Sequence, residues 1–423
     1  MRSPRGRRRL RPHPDRSRGG RRVRKLKVLT FSTLFPSSVR PSHGIFVETR
    51  LRELMKSGEV ESRVVAPVPW FPSTSPRWGD YARFAATPAR EQRNGLDVLH
   101  PRYLLLPKVG MTLAPLTLAL GARGAVQKLI DEGFDFDLID AHYYYPDGVA
   151  AALLSKWFNK PLTITARGTD LNLIPQYALP KRMIEWAAGR ASGSIGVCAA
   201  LMDVLRGWGH DPAKLNTLRN GVDLERFRPL PQADMRAELG VSGEPLLLSV
   251  GHLIERKGHH IAIEALAELA KQRPGARLVV IGEGEERAAL TALAARLGVA
   301  DKVRLTGSLP NTELLKWYSA ADVLLLCSSR EGWANVLLES MACGTPVAAT
   351  DIWGTPEVVA APEAGGLVSE RTGSAFAAAI GALLAKGIDR AATRRYAESF
   401  SWQATTDGQI ALFKSIAGVA AHA

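Results

Sequence analysis

Two doubly wound α/β halves, each built on a parallel sheet and facing the other across a cleft, are the fold class this sequence predicts. The chain has 423 residues, more than one usual core accommodates, so two domains are expected. From Lys25 onward, short apolar runs alternate with helical patterns. The runs are continuously apolar rather than alternating, as strands buried on both faces of a parallel sheet require. Midway, Phe227-Arg228-Pro229-Leu230-Pro231 is a stiff, helix-averse connector.

Taken in order, residues 1–24 come first: eleven Arg and one Asp, rich in Pro and Gly, with almost no apolar residues. Such a stretch supports no core and is expected to be a disordered tail. It carries +10 of the formal +14, which leaves +4 for residues 25–423. The basicity therefore belongs to a tail able to hold anionic lipid or nucleic acid by charge alone, and a dedicated nucleic-acid module is disfavoured. Hydrophobic residues at 46% and charged residues at 23% are those of an ordinary globular chain. The run Val28–Phe35 is too short and too abruptly ended by Pro36 for a signal peptide. No stretch approaches the roughly 18 apolar residues of a membrane span. Cys198, Cys327 and Cys343 sit in apolar contexts and read as buried thiols of a cytoplasmic protein.

The first half, residues 25–228, is read with strands at 26–31, 63–66, 138–140, 162–166 and 194–197. The second, residues 229–395, is read with strands at 246–250, 278–281, 303–305, 322–327 and 347–350. The segment 391–416 reads as one amphipathic helix. Ligands of open α/β sheets bind outside the carboxyl ends of the strands, so the loops there carry the candidate chemistry.

Glu331 and Glu339 flank a small-residue turn between an apolar strand and the short helix 336–343. Glu331 should lie on the loop and Glu339 about one turn into the helix. Between them the helix N-terminus offers free N–H groups to an anion. A ligand with a phosphate centre and hydroxyls on both sides, such as a nucleotide sugar, has that layout. Arg256 and Lys257, in the Gly251–Gly258 loop, can neutralise a diphosphate; a solvated basic pair is the plainer alternative. The loop Gly282-Glu283-Gly284-Glu285-Glu286 superficially suggests a dinucleotide fingerprint. Its third Gly is missing, and three glutamates would repel a pyrophosphate. The pair Asp135 and Asp137 precedes a strand and so lies away from the carboxyl-end loops.

The string from Ser329 through Val347 resembles the E-x7-E region of retaining GT-B glycosyltransferases of family 4, and the resemblance covers nearly the whole chain after about residue 25. It implies a GT-B fold of two Rossmann-like domains, with residues 396–423 as a helix crossing back to the first. It assigns Glu339 to the ribose and Glu331 to the transferred sugar. The backbone of Gly332, Trp333, Ala334, Asn335 and Val336 would face phosphate and sugar. Arg256 and Lys257 would grip the diphosphate; Gly44, Gly251 and Gly282 would allow close backbone approach; Leu309 would lie near the base. His142, at the carboxyl edge of a strand, would face the cleft and contact sugar. Arg167 departs from the family, where a His commonly stands. An Arg cannot act as a general base; binding an anionic acceptor or pairing with Asp170 are the alternatives. Tyr318 reads as core packing, and Asn220-Gly221 as turn geometry.

The implied activity is metal-independent transfer, without cofactor, from a nucleoside-diphosphate sugar to a hydroxyl of a glycan or lipid-linked envelope precursor. Its expected place is the cytoplasm, at the inner face of an anionic membrane, with no specific nucleic acid. Oligomeric state is open. A dinucleotide-dependent oxidoreductase and a nucleic-acid-binding protein acting through the tail are the rival readings. The first is disfavoured because no complete G-x-G-x-x-G opens either half; in the second, removing residues 1–24 would abolish nucleic-acid affinity.

Overall fold

In a computed structural model of the chain, residues 24–105 and 110–418 are described, the side chains of 110 and 111 excepted. The reading of the Arg-rich tail falls on residues 1–24, of which all but Arg24 lie outside the described part. Strands β1 (Leu26–Phe31), β2 (Val60–Val65), β3 (Val68–Pro69), β4 (Arg90–Arg93), β5 (Leu96–Leu99), β6 (Arg102–Tyr103), β7 (Leu138–His142), β8 (Leu162–Ala166), β9 (Gly193–Gly196) and β10 (Leu215–Thr217) belong to the first half. Eight of them form one sheet in the order β10-β9-β8-β7-β1-β2-β5-β4, parallel except for the β4–β5 pair. The second half holds β11 (Leu246–Val250), β12 (Arg277–Ile281), β13 (Val303–Gly307), β14 (Val323–Leu326), β15 (Val347–Thr350) and β16 (Gly365–Val368). These form an all-parallel sheet in the order β13-β12-β11-β14-β15-β16.

Every residue of β7, β8, β11, β14 and β15 is buried, as parallel strands covered on both faces must be. β2 starts earlier than the sequence reading places it because Glu61 and Ser62 interrupt its apolar run, yet Ser62 is buried and bonded to Thr30. β4 reads Arg-Glu-Gln-Arg at the sheet edge, where no apolar pattern announces a strand.

Six helices position the site or close the fold: α1 (Ile45–Lys56), α2 (Gly110–Asp131), α3 (His259–Ala270), α4 (Asn335–Ala342), α5 (Arg390–Glu398) and α6 (Trp402–Ala417). The single C-terminal helix expected over 391–416 is two helices. The break falls at Ser399–Ser401, where Phe400 packs its ring 5.4 Å from Tyr396 and 6.2 Å from Trp333. α5 stays on the second half, its Arg390 donating to the carbonyls of Ala321, Ser319 and Cys343. α6 crosses back. Its Ile410 and Phe413 join Leu26, Val28, Leu138 and Ile195 in one buried cluster. The three cysteines are free and buried.

Candidate active site

In the second sheet the strand order reverses between β11 and β14, so the loops after these two strands diverge and leave a crevice. Lys257 follows β11 and Glu331 follows β14. They meet there: Lys257 Nζ donates to Glu331 Oε1 at 2.6 Å. Arg256 lies 3.7 Å from the same carboxylate and donates to the Arg330 carbonyl at 2.8 Å. Glu331 is 8% exposed. Lys257 carries three N–H donors, so two remain for another anion. α4 begins four residues after Glu331, which places its free N–H groups beside the pair.

Glu339 lies within α4, at the cleft, and accepts from the Tyr318 hydroxyl at 2.8 Å. Burial raises its pKa, and the Tyr318 bond opposes that rise. Tyr318 is fully buried, so it is core packing as expected, and it also aims the carboxylate. Around Glu339 opens a cleft of about 120 Å³, lined by Phe46, Arg52, Arg226, Asn311 and Asn335 among others. Leu309 is half-buried in the loop after β13. Trp333 turns into the core, so only its backbone faces the crevice.

The glycines serve packing of the chain on itself. A Cβ at Gly282 would lie 1.8 Å from the Gly251 carbonyl oxygen, and one at Gly44 would lie 2.2 Å from that of Leu34. Gly44 and Gly282 are thus crowded by a neighbouring strand or loop, whereas a Cβ at Gly251 would meet only the Lys257 side chain at 3.6 Å.

In the first sheet the order reverses between β1 and β7. Asp147, after β7, accepts from the Thr33 backbone N–H at 3.1 Å and its hydroxyl at 3.0 Å, tying the two loops. Burial pushes the Asp147 carboxyl up to about 7. His142 does end β7 at its carboxyl edge, but it is 1% exposed and does not face the cleft. Arg167 Nη2 donates to its Nδ1 at 2.7 Å, which leaves Nε2 protonated toward Asp140 Oδ2 at 3.3 Å. Burial drives its pKa down to about 4, with Asp140 opposing and Arg167 reinforcing. His142 is thus neutral and acts on the cleft only through Arg167.

Nor does the Arg167 side chain pair with Asp170. That carboxylate is taken by the backbone N–H groups of Gly168 at 2.7 Å, Tyr144 at 2.8 Å and Arg167 at 3.0 Å. The Arg167 guanidinium instead stacks 5.3 Å from the Phe46 ring and donates to Asn220 Oδ1 at 3.3 Å. Asn220, read as a turn residue, is 4% exposed and joins the halves: its Nδ2 donates to Asn335 Oδ1 at 3.3 Å. The halves touch directly at Gly332, where a Cβ would lie 2.1 Å from the Arg167 carbonyl oxygen. Asp135 and Asp137 are bound by Lys160 and Arg24, before β7 and away from this end.

Two parallel sheets whose carboxyl ends face each other over paired acids and cations define a GT-B glycosyltransferase. The glycosyl transferases group 1 profile matches residues 231–400, and the Glycosyltransferase Family 4 profile matches residues 84–226. TuaC of Bacillus subtilis, named for teichuronic acid biosynthesis, is 30% identical over 340 residues, 78% of this chain and 82% of that one. A D-inositol 3-phosphate glycosyltransferase of Segniliparus rotundus is 39% identical over 215 residues, about half of either chain at 48%. Among solved structures, sucrose-phosphate synthase from Thermosynechococcus elongatus aligns with a TM-score of 0.75 at 22% identity, over 94% of this chain and 100% of that one. Anabaena HepE in complex with UDP-glucose aligns at 0.68 and 20%, over 93% and 100%. The chain belongs to the family 4 glycosyltransferases of group 1.

Proposed function

We propose that this glycosyltransferase is retaining and metal-independent, and moves a hexose-type sugar from a nucleoside diphosphate to a hydroxyl of a glycan or lipid-linked envelope precursor. The meeting of Lys257, Arg256 and Glu331 at the switch point of the second sheet carries the reading. Glu339, held on one side by Tyr318, keeps an oxygen for the ribose diol. Glu331 takes hydroxyls of the sugar. Arg256, Lys257 and the N-terminus of α4 meet the diphosphate, supplying charge that a divalent metal would otherwise bring.

In the transfer step the bond between the sugar C1 and the β-phosphate oxygen breaks. The acceptor oxygen bonds C1 from the same face, and its proton passes to the departing phosphate. Lys257 and Arg256 stabilise the charge that grows on that phosphate, the main catalytic contribution. No protein base is required, in keeping with Arg167 and a neutral His142 on the acceptor side.

An acceptor at a membrane surface fits the apolar skin of the first half. Trp70, Trp78, Leu104, Leu113, Leu116 and Leu120 are exposed there, and Arg77 stacks 5.2 Å from the Trp78 ring. Trp with Arg stacked on its face suits an anionic interface. Among the described residues no helix is long and apolar enough to cross a membrane.

The test is a panel of nucleoside diphosphates and their sugars. At least one nucleoside diphosphate should raise the melting temperature, and its sugar conjugate should be hydrolysed with the anomeric configuration kept. Stabilisation by dinucleotides alone, or an inverted product, would refute the reading.

A further inference from the structure

Glu357 stands on the second half, in the short helix Thr355–Val358 that follows β15, yet its carboxylate is held from the first half. Oε1 accepts from the backbone N–H groups of Ala199 at 2.7 Å and Ala200 at 3.4 Å, in the free first turn of the helix Ala199–Gly207. Oε2 accepts from Arg219 Nε at 2.8 Å and Nη2 at 2.5 Å. Among the described residues this is the one ion pair between residues 24–228 and residues 229–398. The contacts of Asn220 with Asn335 and of Gly332 with the Arg167 carbonyl involve no charge. We propose that Glu357 is a positioning residue: with Arg219 and the helix Ala199–Gly207 it forms an ionic clasp that holds the halves at the angle transfer requires. The clasp itself stands on these contacts, and its effect on rate rests on the transfer reading above.

An acid at a helix N-terminus, facing an arginine, is favourable on both counts, and the pair is screened by salt because its side chains are 18% and 44% exposed. Its partners belong to the other half, so the attraction is realised when the halves are together. The loop that carries Glu357 also reaches the donor groups. A Cβ at Gly354 would lie 2.2 Å from the Gly332 carbonyl oxygen on one side and 2.8 Å from Cys198 Cβ on the other. Beside it Trp353 is held at φ 47, a conformation costly for a residue with a Cβ, so the loop keeps a shape its neighbours impose. Arg219 is two residues before Gly221, which packs on Trp402 where the chain crosses back. The clasp therefore sits beside the crossings between the halves.

Cys198 reports on the clasp. It belongs to the first half, is fully buried against Gly354 of the second, and burial pushes its thiol up to about 12. Parting the halves uncovers it. Cys327 and Cys343 are buried within the second half, so unfolding, not parting, exposes them.

The experiment labels the full chain with N-ethylmaleimide and resolves each cysteine by peptide mass spectrometry. Glu357→Gln and Arg219→Gln should each speed labelling of Cys198 on the order of 10-fold, the effect of losing a partly exposed charge-assisted bond. Cys327 and Cys343 should label as in the wild type. Raising KCl from about 0.05 to about 0.5 M should speed Cys198 in the wild type and add little in either variant, since screening acts on the charged pair. Arg219→Gln added to Glu357→Gln should change nothing further. With a nucleotide sugar that the wild type turns over, Glu357→Gln should lower kcat about 10-fold and leave nucleoside diphosphate affinity within about threefold, and Glu357→Asp should recover part of the rate. Wild-type labelling of Cys198 in both variants, or equal acceleration of all three cysteines, overturns the clasp. Faster Cys198 labelling with an unchanged kcat overturns its positioning role. Absence of turnover with every nucleotide sugar would instead remove the transfer reading, and the cysteine rates would still decide the clasp.

Discussion

Replacing Gly332 by Ala probes whether the halves must meet where the structure brings them together. Gly332 does not adopt a positive φ, so an alanine suits its own backbone. The obstacle is across the cleft: the new Cβ would stand 2.1 Å from the Arg167 carbonyl oxygen and 2.8 Å from its carbon. Ordinary contact begins near 3.4 Å, so the halves must part by about 1.3 Å at this point. That displacement would stretch the Asn220–Asn335 bond, already 3.3 Å, out of hydrogen-bond range. A misplacement of about 1 Å between reacting groups costs roughly 10²-fold in rate. Lys257, Glu331, Glu339 and Tyr318 all lie on the second half and keep their places. Turnover of the cognate nucleotide sugar by Gly332→Ala should therefore fall about 10²-fold. Nucleoside diphosphate affinity by calorimetry should stay within about threefold, since that difference is under 1 kcal/mol. Unchanged turnover would refute the closed arrangement as the productive one. Loss of nucleotide affinity would show that the damage is local to the loop.

Four further outcomes are expected. Lys257→Ala should lower kcat on the order of 10²-fold or more, because one preorganised donor to a developing oxyanion is removed; steady-state kinetics checks it. Glu339→Gln should weaken free nucleoside diphosphate, while Glu331→Gln should bind it nearly normally yet transfer slowly, since only the sugar changes in the transition state; equal loss in both would end that division. Activity should survive excess chelator, and loss restored by Mg²⁺ would overturn metal independence. Finally, the Asp147 pKa is raised to about 7 in the fold, so its neutral form contributes stability at low pH that is lost as pH rises through 7. Asp147→Asn should flatten the stability profile between about pH 4 and 7 in urea titrations, and an unchanged slope would contradict the raised value.

Much of the fold was legible because parallel strands buried on both faces write themselves as apolar runs, as in β1, β8, β11 and β15. What escaped has a physical cause in each case. β4 is an edge strand of polar residues, and β3 and β6 are two residues each, too short for any period to register. The break at Ser399–Ser401 was invisible because Phe400 continues the amphipathic pattern while its backbone accepts from Val222 N–H. In the site, Glu331, Lys257 and Arg256 could be picked out because each follows an apolar strand run and so stands at a carboxyl strand end, and β11 and β14 are neighbours in the sheet. Asn220, Tyr318, Gln409 and Arg50 were not. Each acts through a partner more than twenty residues away, and Gln409 reaches Arg50 across 359 positions, a relation no local pattern encodes. His142 was misplaced for a related reason: its strand position is plain in the sequence, but the side chain covering it is set by the packing of β8.

The return of α6 has a mechanical consequence. The halves are spanned twice, once by the connector after Phe227 and once by Ser399–Ser401, and these crossings lie side by side: Val222 N–H donates to the Phe400 carbonyl at 2.9 Å. A Cβ at Gly221 would sit 2.5 Å from the Trp402 nitrogen. Two adjacent tethers define an axis. Rotation about it swings Glu331 and Arg167 apart and together along one arc, whereas twisting or sideways sliding would strain one tether against the other. Cutting the chain after Glu398 would leave a single pivot, free to turn in every direction and unable to return Gly332 to the same contact.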